Sequence, residues 1–377
     1  MIPRFASRQA GWLALGLAAF VAAASSGAAP ATGKVKSAKV QRHAAPAGAA
    51  SAAAAEGSYA QREDVARFAA QAAQRQGLDA DWVRATLAAA RYQASVARLV
   101  MPAAAPTAKN WAAYRARFVE PVRIAAGAAF WRAHADWLAR AEQRFGVPPE
   151  IVVGIVGVET IYGQQMGGYR AVDALATLAF DFPSGRSDRS AFFRDELEQL
   201  FVLCRGAPQP ACDPLALKSS YAGALGMPQF MPGSVNRFAI DFDGDGRVDL
   251  HRSAADTIGS VANYLAAHGW QRGQPTHFAV HPPEGAAERA TLLAPDIVPS
   301  FSAQEFGAQG ALLDDAGRAH TGLLALVELH NAGASPSYVA GTANFYAITR
   351  YNWSSYYALA VIELGAAVRR QAASARE

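Results

Sequence analysis

Residues 149–163, "PEIVVGIVGVETIYG", constrain the fold more than any other stretch of this chain. Pro148 and Pro149 open a helix at the first-turn position that proline tolerates, and Gly163 stops it just after Tyr162. On that helix Glu159 shares a face with Val152, Ile155, Val156 and Tyr162, at spacings of three, four and seven residues. A run this apolar must be enclosed by other elements. The chain can supply them: of its 377 residues 51% are hydrophobic and 18% charged, and the length allows two or three domains. A carboxylate on a buried stripe is desolvated, which favours its neutral form. A carboxyl still protonated near neutrality is what a general acid requires, and a glycosidic oxygen is a group that needs a proton. The alternative is a structural glutamate that caps a neighbouring loop or pairs with an arginine.

The first 27 residues stand apart. Arg4 and Arg8 precede an apolar Ala/Leu/Gly run that ends at Ser25, Ser26 and Gly27, the layout of a cleavable signal peptide rather than of a membrane anchor. No cysteine follows that run, so there is no lipobox, and the expected location is the periplasm. No later segment reaches the roughly 18 apolar residues of a membrane span. Residues 28–58, rich in Ala, Pro, Lys and Ser, read as a disordered tether. The formal charge of +4 suits an anionic envelope surface but is too small to indicate nucleic acid.

Residues 59–146 show apolar spacing of three and four and read as a helical domain, with Gly77 and Gly146 as C-caps. Residues 147–270 form the central unit. Its helices are expected at 149–162, in "AVDALATLAFDF" and "RSAFFRDELEQLFVLC", and at 255–270; a loop-rich stretch fills 223–246. Residues 271–335 read as a small β-containing subdomain with strands in "THFAVHPP" and "ATLLAPDIV". Residues 336–377 read as a polar, aromatic loop followed by a C-terminal helix. The expected fold class is thus mainly α, with a minor β component. Cys204 and Cys212 flank a Pro/Gly loop; in an exported chain this suggests one disulfide, two free thiols being the alternative.

Three further patches carry chemistry. In "SYAGALGMPQFMP" (220–232) glycines and prolines force a compact loop with Ser220 and Gln229 as polar groups and Met227, Phe230 and Met231 as an apolar wall. "NFYAITRYNWSSYY" (344–357) interleaves aromatics with Asn, Thr and Ser, which suits a cleft wall. "DFDGDGRVD" (241–249) places Asp241, Asp243 and Asp245 at positions one, three and five of an EF-hand loop, Gly246 at six and the Arg247 carbonyl at seven. Position twelve is Arg252 instead of Glu, so Asp256 is the nearest acid able to close a structural Ca²⁺ site. There is no zinc-ligand spacing and no convincing Cys/His or Ser/His pair, which argues against an amidase or peptidase.

In this order, "GIVGVETIYGQQMG", "DALATLAFDFP", "SYAGALGMPQFMP", the Asp/Gly loop with "IGSVANYLAAHGW", and "NFYAITRYNWSSYYALAV" resemble the lytic murein transglycosylase B family, over about residues 60–370. The resemblance implies a lysozyme-like helical core with an additional helical domain and a small β subdomain. It implies cleavage of the β-1,4 bond between N-acetylmuramic acid and N-acetylglucosamine without water, leaving 1,6-anhydromuramoyl ends. Glu159 stands at the position of the single catalytic acid/base. Ser220, Gln229, Tyr351, Asn352 and Tyr357 match cleft positions, and Arg189 stands for the arginine of a turn that is longer here. Asp241, Asp243, Asp245 and Arg247 match the calcium loop, although "HRSAAD" is one residue longer before Asp256. No cofactor is expected for catalysis. The expected partners are peptidoglycan glycan strands and proteins of cell-wall synthesis or division, with the chain a monomer. Two other readings use the same cleft: a lysozyme-type hydrolase that employs water, and a non-catalytic peptidoglycan-binding scaffold.

Overall fold

The structure is a computed structural model, and it describes residues 59–102, 109–205 and 212–374. The expected signal peptide and tether lie outside these residues. In chain order the helices are α1 (Glu63–Gln76), α2 (Ala80–Ala88), α3 (Ala94–Leu99), α4 (Trp111–Phe118), α5 (Pro121–Ala133), α6 (Ala135–Phe145) and α7 (Pro149–Thr160). After β1 (Tyr169–Arg170) come α8 (Ala171–Phe180) and α9 (Ser190–Cys204), then β2 (Lys218–Ser219), α10 (Pro232–Phe238) and α11 (Ala254–Ala267). The remainder is β3 (His277–His281), α12 (Ala286–Leu293), α13 (Ala303–Ala308), β4 (Leu312–Leu313), α14 (Asp315–Arg318), β5 (Ala325–Asn331), β6 (Ala334–Gly341), α15 (Ala343–Thr349) and α16 (Ser355–Ser374).

Helix α7 sits at the centre because it has no polar face to offer solvent: every residue from Ile151 to Val158 is buried. Pro148 is its N-cap and Pro149 its first residue, as the sequence suggests. Its closest neighbour is α16. A Cβ on Gly154 would lie 2.2 Å from the Val361 carbonyl oxygen, and one on Gly365 would lie 2.0 Å from that of Glu150. The two helices therefore meet backbone to backbone, which only glycine permits. Gly77 and Gly146 end α1 and α6 in the left-handed conformation, with φ of 62° and 74°.

One hydrophobic core runs from Tyr59 to Val368. Phe68, Val83 and Leu87 of the N-terminal helices belong to it together with Val152 and Ile155 of α7, so the core continues across residue 146. The buried carboxylate of Asp173 ties the two regions: it accepts hydrogen bonds from the Arg91 amide (3.0 Å) and the Gln93 side chain (3.2 Å) and pairs with Arg170 (2.7 Å). The β subdomain is an antiparallel sheet of order β4-β3-β6-β5. Along β5 the residues alternate between two cores, as the pleat requires. Ala325, Val327 and Leu329 enter the main one, and Leu326, with Leu324 just ahead, enters a smaller one with Phe278, Leu292 and Phe306. Because β6 runs to Gly341, the sheet extends beyond residue 335.

Three local expectations are corrected. "ATLLAPDIV" contributes no strand: Gly285 caps α12, and Leu292 points into the small core from that helix. The stretch 223–246 contains α10, started by Pro232, and the aromatic segment after residue 343 forms α15 before a short loop at 350–354. The sulfurs of Cys204 and Cys212 are bonded, closing the segment between them. Among the described residues no helix is long and apolar enough to cross a membrane.

Candidate active site

Glu159 lies in the last turn of α7, where the helix stops abruptly. Ile161, Tyr162 and Gly163 all have positive φ (51°, 56° and 88°), a conformation costly for the first two. Two contacts hold the turn: Thr160 Oγ1 donates to the Met227 carbonyl (2.8 Å) and accepts from the Gly163 amide (3.0 Å). The buried Arg123 reaches in from α5 and donates through Nε to the carbonyl of Gly157 (2.9 Å). These contacts fix where the Glu159 side chain begins.

The carboxyl of Glu159 opens on a cleft of about 320 Å³. Tyr357, on α16 and 2% exposed, donates its hydroxyl proton to Glu159 Oε1 at 2.7 Å. That bond favours the ionised carboxylate, but desolvation outweighs it and pushes the pKa up to about 7. Burial, followed by the charge of Glu159, holds the Tyr351 and Tyr357 hydroxyls well above the usual tyrosine range, so both stay protonated donors.

The cleft walls come from five places. The 220–232 loop supplies Ala224, Gln229 and Met231. Its sharp turn needs Gly226, with φ 67° and no room for a Cβ, which would lie 2.5 Å from the Leu250 carbonyl oxygen. Gln229 is also left-handed (φ 52°), and its amide donates to the carbonyls of Gly226 (2.9 Å) and Met166 (3.3 Å). The loop after α15 supplies Arg350, Tyr351, Asn352 and Trp353, with Tyr351 donating to the Pro228 carbonyl and its ring stacked on that of Tyr357. Arg189, Phe192 and Glu196 come from the start of α9, and Arg237 and Tyr264 from α10 and α11. Two buried polar atoms at this site have no partner among the described residues: Asn352 Oδ1, an acceptor, and Arg189 Nη1, a donor.

Of the residues expected from the sequence, Glu159, Gln229, Tyr351, Asn352 and Arg189 line the cleft, and Tyr357 binds Glu159 from behind. Ser220 is not in the lining. It is buried, and its Oγ accepts from the Ala224 amide (3.1 Å), which shapes the loop. Met231 lines the cleft as the apolar wall suggests, whereas Phe230 is core. Phe192, Glu196, Arg237, Tyr264 and His268 were not singled out in the sequence. Their spacing held a signal: Phe192 and Glu196 are four apart on α9, as are Tyr264 and His268 at the end of α11, so each pair shares a face.

The Asp/Gly loop brings carboxylate oxygens of Asp241, Asp243 and Asp256 within 4.8 Å of one another. Asp256 is 1% exposed, and its two oxygens accept from the amides of Phe242 (2.8 Å) and Asp249 (2.7 Å), so the longer "HRSAAD" segment still delivers it to the loop. Three converging anionic oxygens fit a hard divalent cation such as Ca²⁺. Asp245 stands outside that group; it accepts from the Arg247 amide and pairs with the Arg247 guanidinium at 3.2 Å.

The site is thus a carboxyl with a pKa of about 7 at the end of a central helix, opening on a cleft walled by tyrosines, arginines and amides. The chain belongs to the Transglycosylase SLT domain family, whose profile matches residues 60–366. It is 39% identical over 321 residues to the membrane-bound lytic murein transglycosylase B of Escherichia coli K12, covering 83% of this chain and 84% of that one. Its structure is similar to the E. coli lytic transglycosylase SLT35 in complex with calcium, with a TM-score of 0.71, 37% identity, and coverage of 84% and 96% of the two chains. It is also similar to SltB3 from Pseudomonas aeruginosa in complex with NAG-anhNAM-pentapeptide, with a TM-score of 0.68, 30% identity, and coverage of 83% and 80%. The protein is a peptidoglycan lytic transglycosylase with a lysozyme-like helical core.

Proposed function

We propose that Glu159 is the single general acid/base of this enzyme and that its products carry 1,6-anhydromuramoyl ends. The observation that carries the reading is the environment of Glu159: a carboxyl held near pKa 7 in the cleft, with one hydrogen bond from Tyr357. Such a group is available as an acid and then as a base at neutral pH. The neutral Glu159 donates its proton to the glycosidic oxygen as the bond from that oxygen to the muramoyl anomeric carbon breaks. The substrate's own N-acetyl group supports the positive charge left at that carbon, in place of a second carboxylate. The ionised Glu159 then takes the proton of the C6 hydroxyl while its oxygen bonds to the anomeric carbon, closing the anhydro ring. The other carboxylate of the cleft, Glu196, is committed elsewhere: it accepts from the Gly233 amide at 2.7 Å and anchors the start of α10. The anhydro sugar bound by the SltB3 relative supports the same outcome.

Tyr351 and Asn352 are the groups that orient the acetamido arm, Asn352 through its unpartnered Oδ1. Gln229 and Arg189 hold the sugar chain on the opposite wall, and Ser220 acts through the loop it shapes. The Asp241, Asp243 and Asp256 cluster, with the Arg247 carbonyl, is the structural Ca²⁺ site; Asp245 reaches it once its pairing with Arg247 is released. The enzyme works in the periplasm after removal of its signal peptide. Glu159→Gln tests the central assignment, with the variant expected to fold and to bind sacculi while releasing no muropeptides. Turnover by that variant would mean that another group supplies the proton.

A further inference from the structure

Beyond Glu159, the cleft holds more positive than negative charge. Arg189, Arg237 and Arg350 line it along with His268, against the carboxyls of Glu159 and Glu196. Glu159, with a pKa of about 7, carries only part of a negative charge at neutral pH, and Glu196 accepts from the Gly233 amide. Arg237 and Arg350 belong to one end of the cleft: both bear electrostatically on Tyr264 and His268, which stack on each other at 4.0 Å. Arg237 is exposed on α10 and uses its Nε for the Gly233 carbonyl (2.9 Å). The Arg350 guanidinium lies over the rings of Tyr346 and Trp353, at 5.7 and 5.6 Å, with one long bond to the Tyr346 hydroxyl (3.3 Å). Neither forms an ion pair within 4.0 Å of a carboxylate among the described residues. Both guanidinium groups lie over aromatic rings, Arg237 over Phe238 at 5.5 Å, and although Arg237 attracts Glu196 from beyond ion-pair distance, both present N–H donors in the planar geometry that a carboxylate accepts.

We propose that Arg237 and Arg350 form an anion-recognising end of the cleft that takes a carboxylate carried by the glycan strand, and so set which strands are cut. This rests on the proposed acid/base reading of Glu159, because it names what the same cleft selects. Two carboxylates of the polymer have the right chemistry: those of the stem peptide, and the lactyl carboxylate left free on a muramic residue without a peptide. Neutral parts of the sugar chain can accept hydrogen bonds from these arginines but gain no charge pairing.

Three matched glycan strands separate the sources: one with stem peptides, one whose stem-peptide carboxylates are amidated, and one stripped of peptides so that the lactyl carboxylate is free. The wild-type enzyme is expected to favour either peptide carboxylates or free lactyl carboxylates over the amidated strand by about 10-fold in kcat/KM, mainly through KM. Arg237→Gln is expected to shrink that preference to less than about 3-fold, and Arg237→Lys to restore part of it. Whichever carboxylated strand shows the preference identifies the source. Equal losses on all three strands, or no loss on any, would overturn the proposal. Its failure is separable from failure of the acid/base reading, since the latter shows as turnover by Glu159→Gln on every strand.

Discussion

The contact between the Tyr357 hydroxyl and Glu159 Oε1 sets the protonation of the proposed acid/base. The hydrogen bond favours the carboxylate and burial favours the acid, and burial wins, leaving a pKa of about 7. Removing the hydroxyl with Tyr357→Phe removes the hydrogen bond that lowers this pKa, so the alkaline limb of the kcat/KM profile is expected to move to higher pH. A profile that moves to lower pH or stays put would show that the bond does not tune the acid. The same pKa has a consequence for stability. Because it is raised above the ordinary glutamate value of 4.5, its favourable contribution is fully present below about pH 4.5 and is lost as pH rises through about 7. The loss is at most about 3 kcal/mol, and less because Glu159 is partly exposed in the cleft. Glu159→Gln cannot ionise. Its Tm relative to wild type is therefore expected to climb between pH 5 and pH 8, as thermal unfolding over that range would show.

At the scale of elements, the site depends on how α7 is buried. Its glycines let α16 approach so closely that Val361 O would sit 2.2 Å from a Gly154 Cβ. A methyl there must push the two backbones apart, and overpacking of a core costs about 1–3 kcal/mol or more. Gly154→Ala is expected to lower the unfolding free energy measured in urea by that amount. It is also expected to reduce activity more than the stability loss explains, since α16 carries Tyr357 and α7 carries Glu159. Wild-type activity in a destabilised variant would show that the helix crossing does not set the Glu159–Tyr357 distance. The termination of α7 belongs to the same scale: Thr160, Arg123 and Gly163 pin a turn in which two non-glycine residues adopt left-handed backbone.

For the molecule as a whole, much of the layout is legible in the chain and the cleft is only half so. The apolar run 151–158 ending at Glu159 located α7 and the proposed acid, and Pro149 and Gly146 marked element ends. The compact 220–232 loop and the Tyr351–Asn352 segment were readable because unusual residue types crowd together there. The wall formed by Arg237, Tyr264 and His268 was not, because these residues sit on or at the end of ordinary amphipathic helices and reach the cleft only through long-range packing. "ATLLAPDIV" was misread because a short apolar run fits either a strand or one face of a helix, and only the Leu292 pocket decides. Ser220 looked like a ligand-facing hydroxyl, but it serves the loop. The aspartate cluster of 241, 243 and 256 lies at the entry to α11, which carries Tyr264 of the cleft wall. If Ca²⁺ binds there, at 100 times its Kd it adds about 2.7 kcal/mol to stability. A chelator is then expected to lower the Tm of the wild type and leave that of Asp256→Asn unchanged; equal responses would exclude this cluster as the ligand set. The most direct test of the whole account is mass spectrometry of muropeptides released from purified sacculi by the protein, beside the same digest with Glu159→Gln. The account predicts muramoyl ends lighter by one water than hydrolysed ends, and none from the variant. Fully hydrated ends from the wild type, or anhydro ends from the variant, would contradict it.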